Sequence, residues 1–65
     1  MTENDRLVRL PEVMNRTGLS RTTIYRRMGE GTFPARVPLG RNSVAWYESD
    51  IRVWVSNPTA WIKAA

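Results

Sequence analysis

Gly18 and Ser20 stand two residues apart in the stretch "NRTGLSRTTIYRRMGEG", and this pair constrains the chain more than any other feature. Glycine enters the left-handed conformation that ends many helices without a Cβ penalty. Serine is a strong N-cap, because its hydroxyl accepts from a backbone N–H two or three residues ahead. A helix stop and a helix start separated by one leucine leave room only for a tight turn. The spacing predicts two short helices joined as a helix-turn-helix.

Apolar periodicity supports that reading on both sides of the turn. Pro11 suits the first position of the earlier helix, where its missing N–H is harmless, and Glu12 suits the first turn. Leu10, Val13 and Met14 have the i, i+3, i+4 spacing of one buried face. In the second helix Ile24 and Met28 lie one above the other, and with Leu19 they are expected to meet Val13 and Met14. Gly29 and Gly31 weaken this helix and Pro34 forbids its continuation.

A hairpin is expected next, from extended segments at 35–40 and 43–48 around the turn "LGRNS". Alternation sets Val44 and Trp46 on one face and Ala45 and Tyr47 on the other. Pro38 confines the first segment to an edge. A third helix opens under a cap from Glu48 or Ser49, with Asp50 in its first turn. Ile51, Trp54 and Val55 form its expected inward face, and Asn57-Pro58 breaks it. "LVRL" at 7–10 reads as a short strand or an extended lead-in.

The expected fold class is mainly α with a small β-hairpin: a winged helix-turn-helix of three helices plus a wing. Residues 1–6 are expected to be a flexible N-terminus, 7–56 the winged domain and 57–65 a C-terminal extension. Trp46 and Trp54 are expected in the core, and Trp61 is either a lid folded back over it, the favoured reading, or a contact between copies.

What the chain lacks excludes much of chemistry. It has no cysteine and no histidine, so thiolate metal sites, disulfides and the commonest general base are all absent. Lys63 is the sole lysine, and the acids form no inward pair. The expectation is a non-enzyme with no catalytic residue, no metal and no cofactor. No apolar run approaches the ~20 residues of a membrane span, and no signal-peptide core is present, so a cytoplasmic protein without a membrane partner is expected.

The charge points to a polyanion. Six arginines lie between Arg16 and Arg41 against one acid, Glu30, within a net charge of +4. Planar guanidiniums suit phosphates and guanine edges. The residues expected to enter a major groove are those opening the second helix: Ser20, Arg21, Thr22 and Thr23, with Arg26 one turn further on above Thr22. A helix of about nine residues spans roughly 13 Å, which matches a groove ~12 Å wide. Tyr25 is expected to be mostly structural, its ring helping to close the core, with a hydroxyl that can reach a phosphate. Arg27 is expected at the side of the helix, gripping backbone or simply solvated. Arg41 and Asn42 are either a wing tip in a minor groove or only a polar turn. The expected partner is double-stranded DNA, with self-association on it, because one small domain contacts few base pairs. The competing reading is a small protein-interaction module for an acidic partner.

"RLPEV", "TGLSRTTIYR" and "VAWYESDIRVW" occur in one order and at one spacing that resembles the AlpA family of prophage-encoded regulators, over residues 6–56. The tip "GR", followed by an aromatic strand and "ES", is similar to phage excisionases. The resemblance implies a MerR-like winged helix in a bacterial cytoplasm, nucleoid-associated when bound. It implies a sequence-specific regulator of prophage or mobile-element origin that controls integrase or excision genes. The alternative it carries is an excisionase that bends attachment-site DNA beside a phage integrase. By position, Thr22 and Arg26 take the inner face of the recognition helix, Arg21 the basic position after the capping serine, and Arg41 the wing. The coiled coil and effector domain of full MerR regulators have no counterpart, so no small-molecule effector is implied.

Overall fold

A computed structural model describes residues 5–63. The chain runs β1 (Leu7–Arg9), α1 (Leu10–Thr17), α2 (Arg21–Glu30), β2 (Val37–Gly40), β3 (Ser43–Tyr47) and α3 (Glu48–Ser56). The turn between α1 and α2 is built as its residues require. Gly18 adopts φ 73°, and its N–H donates to the Met14 carbonyl at 2.8 Å. Two residues later the Ser20 hydroxyl accepts from the Thr23 backbone N–H at 3.2 Å. Helix α1 begins one residue earlier than expected, with extended Arg9 at its cap and Pro11 inside the first turn. Helix α2 carries Gly29 within it and stops at Gly31, φ 78°.

The expected hairpin gains a third strand. Strand β3 lies in the middle, with β1 antiparallel on one side and β2 antiparallel on the other. Val8 pairs with Trp46 and Arg9 with Ala45, while Val37 faces Ala45 from the opposite side. Pro38 therefore sits on an edge strand, where a missing N–H is tolerated. The β2–β3 pairing is irregular between Pro38 and Gly40. At the tip Asn42 takes φ 59°, a conformation that asparagine tolerates better than most residues.

Val8, Val13, Ile24, Phe33, Trp46, Ile51 and Trp54 form one buried cluster, with Leu10, Met14, Leu19, Met28, Val44 and Trp61 packed against it. The α1 and α2 stripes meet as their periodicity predicts. Phe33 and Pro34 are also buried, in a segment that reads only as a helix stop. The tryptophans explain this. The Trp46 indole donates to the Pro34 carbonyl at 3.1 Å and the Trp54 indole to the Thr32 carbonyl at 2.9 Å. Two buried N–H groups thus find acceptors in the loop after α2 and pin it down. Phe33 also tilts against Trp54 at 5.0 Å.

Three expectations change. The cap of α3 comes from neither Glu48 nor Ser49: the helix begins at Glu48 without a local side-chain cap. Instead the Asp5 carboxylate accepts from the Ser49 N–H at 3.0 Å and the Ser49 hydroxyl at 2.6 Å. Asp5 and Arg6 are thereby held in place, and the Arg6 carbonyl accepts from the Glu48 N–H at 2.8 Å. Of the expected flexible N-terminus, residues 1–4 lie outside the described residues. Val55 is 44% exposed rather than inward, and the buried residues of α3 are Ile51 and Trp54. The chain after α3 turns back: Trp61 packs on the core, and the Lys63 N–H donates to the Gly31 carbonyl at 2.8 Å. Residues 64–65 of the expected extension lie outside the described residues. No helix among the described residues is long and apolar enough to cross a membrane.

Candidate nucleic-acid interface

The fold sorts the arginines by what they meet. Arg6 and Arg16 both reach Glu12 and Glu48 at 2.8–3.1 Å, and Arg52 approaches Glu48 at 3.5 Å. The Arg6 and Arg16 guanidiniums hold the Glu48 carboxyl below its ordinary pKa, and Glu48 in turn raises that of Arg6. Asp5 is likewise lowered, chiefly by the Ser49 hydroxyl. This network joins the start of β1, helix α1 and the start of α3. Arg16 belongs to it, although by sequence it opens the basic block.

Among the described residues, Arg9, Arg21, Arg26, Arg27, Arg36 and Arg41 meet no carboxylate. Their surroundings differ. On α2, Arg21, Thr22 and Arg26 are exposed, on the side of the helix away from Ile24 and Met28 or flanking it. Ser20 and Thr23 bond to each other, hydroxyl to hydroxyl at 3.0 Å, so both side chains serve the cap. Tyr25 is half-buried and meets the Trp46 ring edge-on at 6.5 Å. Arg27 turns the other way: half-buried, its guanidinium lies 5.9 Å over the Trp54 ring. Its Nε is buried without a hydrogen-bond partner. That environment makes Arg27 a packing residue at the flank of α2. Arg41 and Asn42 are exposed at the hairpin tip.

A groove of about 480 Å³ links helix to hairpin. Arg9, Arg21, Tyr25, Arg36, Asn42 and Val44 line it. Arg21 and Tyr25 come from α2 and Asn42 from the tip, so the two expected contact regions border one concavity. Arg9 and Arg36 are absent from the sequence-based candidates. Arg36 carried a usable signal, since it lies within the basic block. Arg9 carried none, because its place depends on the pairing of β1 with β3. Its Nε donates to the Val44 carbonyl at 3.0 Å, and the Arg36 guanidinium lies 5.9 Å over the Tyr25 ring. Chemically the face offers donors, positive charge and one aromatic hydroxyl, the equipment for an anion with many oxygens. Among the described residues no three carboxylates converge as a metal site would require.

Residues 6–59 match the model of the family described as Prophage CP4-57 regulatory protein (AlpA). The chain is 45% identical over 56 residues to the uncharacterised protein ORF88 of Enterobacteria phage P4, covering 86% of this chain and 64% of that protein. It therefore spans less than two thirds of that relative's length. It is 40% identical over 57 residues to the DNA-binding transcriptional activator AlpA of Escherichia coli, covering 78% of this chain and 81% of that one. No solved structure matches the chain.

Proposed function

This chain belongs to the AlpA family of prophage regulatory proteins, and from that premise we propose that it is a sequence-specific double-stranded DNA-binding transcriptional regulator. Its targets on this reading are integrase or excision genes of a prophage or mobile element. The observation that carries the proposal is the segregation of charge. The acids Asp5, Glu12 and Glu48 are occupied by Ser49, Arg6 and Arg16, while Arg21 and Arg26 of α2, with Arg9 and Arg36 of the groove beside it, are exposed and meet no carboxylate. Such a face lowers the electrostatic energy of a polyanion. Arg21, Thr22 and Arg26 are the base-reading set, and Arg41 with Asn42 reaches the adjoining minor groove. The name of the Escherichia coli relative agrees with this reading.

DNase footprinting across the neighbouring integrase promoter and attachment site tests it. The expected result is a protected window at the promoter together with a change in transcription. Protection confined to the attachment site, with excision stimulated and transcription unchanged, would make the protein an excisionase. No mobility shift at low salt, where phosphate attraction is strongest, would overturn DNA binding and leave a protein-interaction module.

A further inference from the structure

We propose that Arg9 and Arg36 form a phosphate clamp that grips the DNA backbone between the groove read by α2 and the groove reached by the hairpin tip. This rests on the DNA-binding reading above and adds a third contact region that belongs to neither the recognition helix nor the wing tip.

The topology brings the two arginines together from opposite edges of the sheet. Arg9 pairs with Ala45 of β3 from one side, and Arg36 directly precedes Val37, which pairs with Ala45 from the other. Both line the same groove, and no carboxylate lines it. Each guanidinium is held before any ligand arrives. Arg9 spends its Nε on the Val44 carbonyl, which leaves its terminal nitrogens to donate elsewhere. Arg36 rests on the face of Tyr25, and Tyr25 is steadied edge-on by Trp46, which is fully buried and tied to the Pro34 carbonyl. A guanidinium held over a ring by cation–π attraction keeps its N–H groups free to donate. Holding the side chains in advance reduces the rotamer entropy lost on binding.

A phosphodiester offers two oxygens to such forks, in the geometry that makes arginine a bidentate phosphate ligand. The groove opens between Arg21 of α2 and Asn42 of the tip, so a strand lying in it is continuous with both. A backbone contact at this point fixes the register of the helix without reading sequence.

Salt-dependent binding distinguishes the outcomes. Each phosphate neutralised contributes ~0.9 to the slope of log affinity against log salt, so loss of one contact weakens binding about five-fold at ~0.15 M salt. R9Q and R36Q should each lose about that much on a mixed-sequence duplex, and the double variant about 30-fold, with a slope lower by roughly 1.8. Both residues are exposed, so the melting temperature should hold. The preference for the footprinted site over mixed sequence should be unchanged. A double variant with wild-type affinity and slope overturns the clamp and leaves the DNA-binding reading standing. So does a double variant that loses site preference, since that makes these base-reading residues. Replacing chloride with inorganic phosphate at equal ionic strength should not displace DNA; displacement would mark a small-anion site instead. A wild-type protein that fails to bind either duplex sinks the functional reading and the clamp together.

Discussion

Arg26 and Arg27 are adjacent in sequence, and replacing each with alanine should produce opposite defects. Arg26 is exposed on α2, one turn beyond Thr22, and meets no carboxylate among the described residues. Its truncation removes no packing, so stability should stay within about 0.5 kcal/mol of the parent. As a base-reading residue it should cost about 1–3 kcal/mol at the footprinted site, or roughly 5- to 150-fold, and little on mixed sequence. Arg27 lies 5.9 Å over the Trp54 ring and is half-buried. Loss of that partly desolvated cation–π contact and of its stem packing should cost about 1 kcal/mol. Unfolding entropy of ~2.1 cal/mol/K per residue makes 1 kcal/mol worth about 7 °C in a domain of this length. Arg27→Ala should therefore melt about 7 °C lower while the folded fraction binds DNA normally. Arg27→Met keeps an apolar stem over Trp54 and removes an Nε that has no partner, so it should recover most of the loss. Melts by circular dichroism and anisotropy titrations on the footprinted duplex check all three variants. An Arg26→Ala protein that melts 7 °C lower, or an Arg27→Ala protein that keeps its melting temperature and loses site-specific binding, would refute this assignment.

Ser20→Ala removes the cap of α2 and should cost about 1 kcal/mol, whereas Ser20→Asp retains a capping oxygen and should keep stability while its charge weakens DNA binding; melts and titrations that move together in Ser20→Asp would contradict this. Asp5 and Glu48 both have folded-state pKa values below their ordinary 3.8 and 4.5. Their contribution is complete above those ordinary values and drains away as pH falls through the lowered ones, so the melting temperature should drop in acid. The drop should be shallower in Glu48→Gln, and an identical pH profile for the two proteins would remove Glu48 from the account. Ile24→Ala empties a fully buried position where α1, α2 and the sheet meet and should cost about 2–5 kcal/mol, against a total of roughly 3–10 kcal/mol for a domain of this size; urea denaturation should find it at the edge of unfolding, and a midpoint near the parent's would show that the site collapses around the smaller side chain.

What the sequence makes legible here is what neighbouring residues decide between themselves. Gly18 and Ser20 act within one turn of chain, and the Ile24–Met28 stripe is a property of a single helix. The edge position of Pro38 follows from its missing N–H. Features that join distant segments leave fainter traces. Three residues of β1 carry too little pattern to declare a strand, and only the central place of β3 makes them one. Asp5 caps a helix 44 residues away, for which no local rule exists. Phe33 and Pro34 are buried because two indoles need acceptors, and neither indole is near them in sequence.

The candidate interface follows the same division, with one instructive exception. Glu12 and Arg16 stand four apart on α1, a spacing that pairs charges on a helix surface, so the withdrawal of Arg16 from the basic block was readable in principle. Its second partner, Glu48, was not. Arg36 shows why the rest stays hidden: its place depends on Tyr25, which depends on Trp46, which belongs to the core. The groove is therefore an outward extension of the hydrophobic cluster rather than a charged patch added to it. A guanidinium is held by an aromatic ring, and that ring by the buried indole beneath. Core substitutions at Trp46 should consequently reach the binding surface through Tyr25, even where the domain still folds.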